Sequence, residues 1–203
     1  MEALIVVDVQ NDFLPGGALA VPDGDAVVPV INRLMRMYPV VAATQDWHPP
    51  THQSFASRHP NRRPGEIIDL HGLTQILWPD HCVQYHSGAS FASGLEVEHI
   101  DFVVRKGTDP ATDSYSGFFD NGRRRATDLE KFLRSRGVRA VTICGLATDY
   151  CVKFTALDAL YLGFETTVVP DATRAVNLNP GDFEKAVQEI RDAGGAVQAA
   201  PRV

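Results

Sequence analysis

Ala140-Val141-Thr142-Ile143-Cys144-Gly145-Leu146-Ala147-Thr148-Asp149-Tyr150-Cys151-Val152-Lys153 is the stretch whose reading decides the fold. Its first half is apolar and β-branched and stops at Gly145, the pattern of a buried strand. A Gly/Thr/Asp turn follows. Val152, Ala156, Ala159 and Leu160 then recur at helical spacing, with Thr148 or Asp149 placed to cap the helix and Gly163 to stop it. Cys151 thus falls in the first helical turn, just past the carboxyl end of a strand. Unpaired N–H groups at such a place favour an anion, and so a thiolate. A free Cys is equally an ordinary small core residue. This stretch alone leaves Cys151 between nucleophile and core thiol.

The same strand ending recurs along the chain. Ala3 to Val9 is apolar except for Asp8 and does not alternate, as expected of a strand buried on both faces in a parallel sheet. Gln10-Asn11-Asp12 already supply turn chemistry, so Asp8 is a site candidate at the carboxyl edge of the sheet rather than a cap. Val40 to Thr44 is a second buried strand running into Gln45-Asp46-Trp47-His48. Asp46 and His48 are two apart, project the same way from a strand end, and form a competent ligand pair for a first-row divalent ion. Asp101 to Gly107 is another strand, ending in Lys106, a residue type more usual as a solvated terminus. Glu165 to Val169 and Ala196 to Ala199 complete the strands. Helices are expected from Asp25 to about Met37, from Ala126 to Arg136, and from Asn179-Pro180 to Gly194-Gly195.

This alternation predicts an α/β fold: a mostly parallel, Rossmann-like sheet of about six strands with helices on both faces, as a single domain over residues 1–203. The carboxyl ends of its strands share one edge, so Asp8, Asp46, His48, Lys106 and Cys151 converge there. A core-only reading gives no reason for a carboxylate, a metal-type pair, a Lys and a Cys at one edge. A carboxylate base beside a thiol, with a Lys to stabilise both anions, is a self-consistent nucleophilic centre without His. Backbone N–H groups of the Ala147–Cys151 turn are suited to a developing oxyanion.

Between the second and third of these strands lies a long, Pro-rich stretch, read as irregular, carrying His52, His59, His71, His81 and His86. Loops of that length are uncommon unless functional. Trp78-Pro79-Asp80-His81-Cys82 reads as a rigid turn presenting His81, with Cys82 structural and Trp78 either a core anchor or a flat wall. Phe13, in the Gly/Pro loop that ends at Leu19, either lines a pocket or anchors its loop.

Composition narrows the function classes. The chain has 203 residues, 44% hydrophobic and 22% charged, ordinary for a globular domain with a sizeable core. A net charge of −6 argues against nucleic acid or an anionic membrane as the main partner. Three Cys without a disulfide spacing suit a reducing compartment. The N-terminal apolar run is too short for a signal segment, and no run approaches membrane-spanning length, so the expectation is a cytoplasmic protein.

The motifs Val6-Val7-Asp8-Val9-Gln10-Asn11-Asp12-Phe13, Gln45-Asp46-Trp47-His48-Pro49, Trp78-Pro79-Asp80-His81-Cys82, Arg105-Lys106-Gly107 and Gly145-Leu146-Ala147-Thr148-Asp149-Tyr150-Cys151-Val152 occur in this order. Together they resemble those of the nicotinamidases (also called pyrazinamidases) of the isochorismatase-like cysteine hydrolase family, over nearly the whole chain. The resemblance implies Cys151 as nucleophile, Asp8 as general base and Lys106 as third member of a triad. It implies an oxyanion hole from the N–H groups of Ala147 and Cys151, and a cis peptide bond between Leu146 and Ala147. It implies one divalent metal ion on Asp46, His48 and His81, zinc first, with manganese or iron as alternatives. The implied substrate is nicotinamide, with pyrazinamide as an analogue, in a pocket of Phe13, Trp78, Leu19 and Tyr115. The reaction would yield nicotinate and ammonia through a thioester, in NAD salvage. His52 lies in the loop from which some members supply a further ligand, but at a different spacing. It is a metal-proximal candidate outside the metal set. A homo-oligomer is a family expectation only. Two rivals stand beside this reading: a family hydrolase acting on a carbamoyl or ureido C–N bond or on isochorismate, and a catalytically silent metal-binding module. The metal set speaks against the first, and intact Asp8, Lys106 and Cys151 against the second.

Overall fold

The structure, a computed structural model, describes residues 1–200. In chain order the strands are β1 (Glu2–Val7), β2 (Val41–Asp46), β3 (Ile67–Leu70), β4 (Leu73–Ile76), β5 (Phe102–Lys106), β6 (Ala140–Leu146), β7 (Glu165–Arg174) and β8 (Ala196–Val197). The helices are α1 (Val28–Met35), α2 (Leu129–Ser135), α3 (Lys153–Tyr161) and α4 (Asp182–Asp192). Six strands form one sheet in the order β5-β2-β1-β6-β7-β8, every neighbouring pair parallel. This is the expected α/β architecture. Chain order runs outward from β1 through β2 to β5, then returns to the other side of β1 with β6. The crevice between the carboxyl ends of β1 and β6 is therefore the topological switch point, where open α/β sheets hold their ligands.

Burial on both faces explains the apolar strands. In β1, Leu4 and Val6 enter one core, and Ala3, Ile5 and Val7 enter the other. The first core is covered by Ile31, Leu34 and Met35 of α1, with Phe13, Val21, Cys82 and Ala89 from loops. The second is covered by Leu129 and Leu133 of α2, Ala156 and Ala159 of α3, and Ile190 of α4. Alternate residues thus serve two cores, and the sequence shows no alternation.

Gly145 lets β6 close on β1. Its φ is +112°, and a Cβ there would stand 2.0 Å from the Val7 carbonyl oxygen. No side chain fits, because the obstacle is backbone of the neighbouring strand.

Several boundaries differ from the sequence reading. A 3₁₀ turn at Gly24–Val27 precedes α1, and Asp25 does not cap it; the residue before the turn is Asp23, whose side chain makes no capping bond. Helix α2 starts only at Leu129, because Asp120 draws the N–H groups of Arg124 and Arg125 into a turn. Helix α4 starts at Asp182 behind Gly181, whose φ is +90°, rather than at Pro180. Strand β7 runs on to Arg174, past Pro170, because the ladder is interrupted there: Ile143 pairs with Val168, and the next pair is Gly145 with Thr173. Pro is tolerated where the ladder is broken. The stretch read as irregular contains the antiparallel hairpin β3–β4, turned by His71 and Gly72, both at positive φ.

Candidate active site

The ends of β1, β2, β5 and β6 build the site. Asp46 and Lys106 are the last residues of β2 and β5 and are register partners, so their side chains emerge on one face. Lys106 Nζ lies 2.5 Å from Asp46 Oδ1, 2.8 Å from Asp8 Oδ2, 2.9 Å from the Ser114 carbonyl oxygen and 3.4 Å from Cys151 Sγ. Asp8 follows β1 directly at positive φ. Its Oδ1 accepts the Thr44 hydroxyl at 2.6 Å, while Oδ2 has the Lys106 ion contact without an aligned hydrogen bond. Oxygens of Asp8 and Asp46 and the Cys151 sulfur all lie within 4.8 Å of one another. Sequence residues 8, 46, 106 and 151 therefore meet, as the shared edge required.

Burial sets the electrostatics. It raises Asp8 to about 6, against the pull of Lys106. For Asp46 burial acts the same way, but Lys106 and His48 outweigh it and hold the carboxyl well below the usual carboxylate range. For Lys106 burial disfavours the charge, and Asp46 and Asp8 restore it, leaving the ammonium firmly protonated. Burial pushes the Cys151 thiol well above its ordinary value; Lys106 opposes this, while Asp8 and Asp46 add to it. This works against the thiolate stabilisation expected from the helix start. Burial of the thiol is the largest cause, and the two carboxylates outnumber the one ammonium beside it.

The turn carrying Cys151 also differs from the expected first α-helical turn. Thr148–Val152 is a single π-helical turn that leads into α3. Such turns recur at functional sites. Neither predicted cap acts as one. Thr148 shares a hydrogen bond with Thr173, and the Asp149 carboxylate accepts the N–H groups of Val176 and Asn177, at 2.9 Å each. The Leu146–Ala147 peptide is cis. The Ala147 N–H has no protein acceptor among the described residues, and Cys151 N–H none outside its own turn.

Asp46, His48 and His81 form a second corner, with one ligand atom of each within 4.8 Å of the others. His48 Nδ1–H donates to the Gly107 carbonyl at 2.9 Å and His81 Nδ1–H to the Pro79 carbonyl at 2.7 Å. Each ring is thereby fixed with a bare Nε2, and these nitrogens lie 3.7 and 4.0 Å from Asp46 Oδ2. Two neutral-type nitrogens and a carboxylate, with backbone partners behind the rings, is a donor set suited to a first-row divalent ion. Burial brings His81 down to about 4, which keeps it a neutral ligand; His48 is raised, because Asp46 outweighs its burial. His52 is fully buried but does not join this set. It clusters instead with His48 and Asp113. His59 and His71 bond Gln53, and His86 is exposed; none reaches the site.

A small cavity lies between the two corners. Phe13, Leu19, Trp78 and Tyr115 line it, as the sequence reading expects, beside Asp46, His81, Ala147 and Cys151. Trp78 is both alternatives at once: buried in the core side of the loop, a wall to the cavity, and donor to the Tyr115 hydroxyl at 3.1 Å. Three lining residues were not singled out: Asp113, Tyr150 and Val176. Tyr150 adjoins Cys151, and its neighbour Asp149 holds Val176 in place, so that pair was within reach of a fuller reading of the motif. Thr44, the partner of Asp8, carried no signal beyond its place in a buried strand.

An isochorismatase-domain family model matches residues 2–201. The nicotinamidase of Escherichia coli K12 is 49% identical over 199 residues, covering 96% of this chain and 93% of that protein. The structure of yeast nicotinamidase bound to the inhibitor nicotinaldehyde superposes with a TM-score of 0.94 at 35% identity, covering 98% of this chain and 100% of that one. The structure of Pyrococcus horikoshii pyrazinamidase in complex with zinc superposes with a TM-score of 0.80 at 42% identity, covering 98% of both chains.

Proposed function

The chain belongs to the isochorismatase-domain family, among its nicotinamidases, and on that premise we propose that it hydrolyses nicotinamide to nicotinate and ammonia through a Cys151 thioester. The observation that carries this reading is the single ammonium of Lys106, in contact with Asp8, Asp46 and Cys151 at once. It ties the thiol, its base and the metal corner into one unit beside an aromatic-walled cavity.

Asp8 takes the Cys151 proton as sulfur attacks the amide carbonyl carbon. The thiol is held well above its ordinary value and Asp8 at about 6, so proton transfer runs with the attack rather than before it. The carbonyl oxygen gathers charge against the N–H groups of Ala147 and Cys151; each such donor is typically worth about 3 kcal/mol. The C–N bond breaks, Asp8 returns its proton to nitrogen, and ammonia leaves a thioester. Water then adds to the acyl carbon and gives a proton to Asp8. The C–S bond breaks, and the proton passes to the Cys151 sulfur. Lys106 keeps Asp8 oriented and balances the charge on sulfur throughout.

Asp46, His48 and His81 would hold a divalent ion. Bound there, the ion supplies an electrophilic point for a ring nitrogen and positive charge that offsets the two carboxylates. Phe13 and Trp78 flank the ring, with Leu19 and Tyr115 completing the pocket. Pyrazinamide, which keeps the ring nitrogen and the amide, fits the same requirements. The reading places the enzyme in NAD salvage in the cytoplasm, where three free buried thiols are at home. No helix among the described residues is long and apolar enough to cross a membrane.

Ammonia release from nicotinamide, measured with and without a chelator, tests the reading. Turnover that the chelator removes and zinc restores is expected. Undetectable ammonia from the metal-loaded protein would sink it.

A further inference from the structure

The two histidines of the metal corner and the buried histidine beside it are not alike. In His48 and His81 the Nδ1 faces a backbone carbonyl, so it carries the proton and Nε2 is bare. In His52 the Nδ1 faces donors: the Ser54 N–H at 3.2 Å and the Ser54 hydroxyl at 2.7 Å. A nitrogen that accepts a backbone N–H cannot carry a proton, so the proton of neutral His52 sits on Nε2. That Nε2–H is completely buried and has no partner among the described residues. A buried donor left unpaired is destabilising, because its lost hydration is not replaced.

One ring nitrogen each of His48 and His52 and one oxygen of Asp113, a residue 3% exposed, lie within 4.8 Å of one another. Asp113 Oδ1 accepts the Ser114 N–H at 2.8 Å and Oδ2 accepts Gln75 Nε2 at 3.0 Å, leaving each oxygen a further lone pair. An orphan donor and a carboxylate with spare acceptor capacity, both beside His48, are what one water needs to be held by both ends. The remaining lone pair of that water is then free for an ion on His48.

Resting on the metal reading above, we infer that His52 and Asp113 are positioning residues of the metal centre. His52 Nε2–H donates to a water coordinated by the ion, and Asp113 accepts from the same water. His52 is an outer anchor and not a fourth ligand: ligation through Nε2 would require the other tautomer and would break the Ser54 N–H bond. The Gln75 amide that holds Asp113 also reaches the Tyr115 hydroxyl, which Trp78 Nε1 bonds in turn. The outer anchor is thereby tied to the aromatic walls of the cavity.

The test is the Zn²⁺ affinity of the full chain, read by competition with a chromophoric chelator, with circular dichroism to confirm folding. His52→Asn, which lacks a donor at the Nε2 position, is expected to weaken Zn²⁺ binding by about 10–100-fold. His52→Gln, which places an amide N–H near that position, should return to within a few-fold of the parent. Asp113→Asn, nearly isosteric, should weaken binding about 10-fold. His81→Ala, the loss of a direct ligand, should weaken it more than any of these. A His52→Gln variant as weak as His81→Ala would overturn the inference in favour of direct ligation. Parent-like affinity in both His52→Asn and Asp113→Asn would overturn it in favour of a purely structural pair. A parent chain that binds no Zn²⁺ would remove the metal reading itself, and the inference with it.

Discussion

The site has two halves held by different means. Asp8, Asp46 and Lys106 stand at strand ends and Cys151 in the turn that follows β6, positioned by a parallel ladder whose register pairs Asp46 with Lys106 and Val7 with Gly145. His48, His52, His81 and Trp78 stand on the segment between β2 and β5, outside the main sheet, held by a few hydrogen bonds and isolated bridges. His48 N–H donates to the Cys82 carbonyl, Cys82 N–H to Asp12, and Trp78 N–H to the Ser54 carbonyl. A ladder distributes a displacement over many bonds and two cores, whereas a loop residue depends on one or two contacts. Damage to the first half should therefore appear as lost chemistry or lost stability, and damage to the second as lost metal affinity in a folded protein.

Cys151→Ala gives the largest expected effect. It removes the sulfur and leaves the ladder intact, so kcat/KM for nicotinamide should fall roughly 10⁴- to 10⁶-fold with little change in thermal midpoint. Near-normal ammonia release in this variant would refute the thioester scheme. Gly145→Ala attacks the ladder itself. The new Cβ would meet the Val7 carbonyl at 2.0 Å, at a φ of +112°, and neither strand can yield without disturbing both cores. The loss of stability should be about 4 kcal/mol, or roughly 8–16 °C in the midpoint for a chain of this size. Midpoints within a degree or two of each other would show that the ladder is softer than the geometry implies.

The two halves also differed in how far the sequence revealed them. Strand ends are legible because a doubly buried strand is a continuous apolar run, and any polar residue closing one must lie at the sheet edge. Asp8, Asp46, Lys106 and Cys151 follow from that argument before any family is named. The loop half has no such rule. The Trp78–Cys82 turn set His81 apart from His59, His71 and His86, but only the resemblance assigned it to the metal, because side-chain-to-backbone bonds leave no periodicity. Asp113 drew no notice in a loop where Tyr115 and the Phe residues stand out, and its neighbours Gln75 and His52 are remote in sequence. The β3–β4 hairpin was missed because its turn is His71-Gly72, where Asn or Asp before Gly is the usual signal. The resting state of Cys151 could not be read at all. Helix-start position argues for a thiolate, whereas burial of the thiol itself, with Asp8 and Asp46 beside it, pushes the other way.

Gly107 is where the halves touch, and it should give an intermediate effect. It follows Lys106, has a φ of +63°, and its carbonyl fixes the His48 tautomer. A Cβ there would lie 2.3 Å from His48 Cε1. Unlike Val7, His48 is a side chain on a loop and can move aside. Gly107→Ala should therefore lose about 2 kcal/mol of stability and weaken Zn²⁺ binding about 10–100-fold, while Cys151 still reacts with a small thiol reagent. A large fall in stability with unchanged Zn²⁺ affinity would mean that the loop half is held as rigidly as the ladder.

Thr44→Val is the finest probe, confined to the ladder half and to one hydroxyl, which also accepts the Asp8 N–H at 3.2 Å. The Thr44 hydroxyl donates to Asp8 Oδ1 at 2.6 Å and favours the carboxylate over the acid. With that bond present Asp8 sits at about 6, raised by burial. The base works only when ionised, so kcat/KM should rise with pH through about 6 and be lost below it. Removing the donor disfavours the charged form and raises the value further. The acid limb of the pH–kcat/KM profile should then move upward by about one unit, with the plateau at higher pH nearly unchanged. A limb that stays in place would assign the low-pH loss to another group, and one that moves down would reverse the role given to Thr44. Because Val fills the space of Thr in a buried strand, the ladder and the metal corner should not register the change. An effect on Zn²⁺ affinity comparable to that on the acid limb would show that the two halves are coupled through Lys106 more tightly than their separate supports suggest.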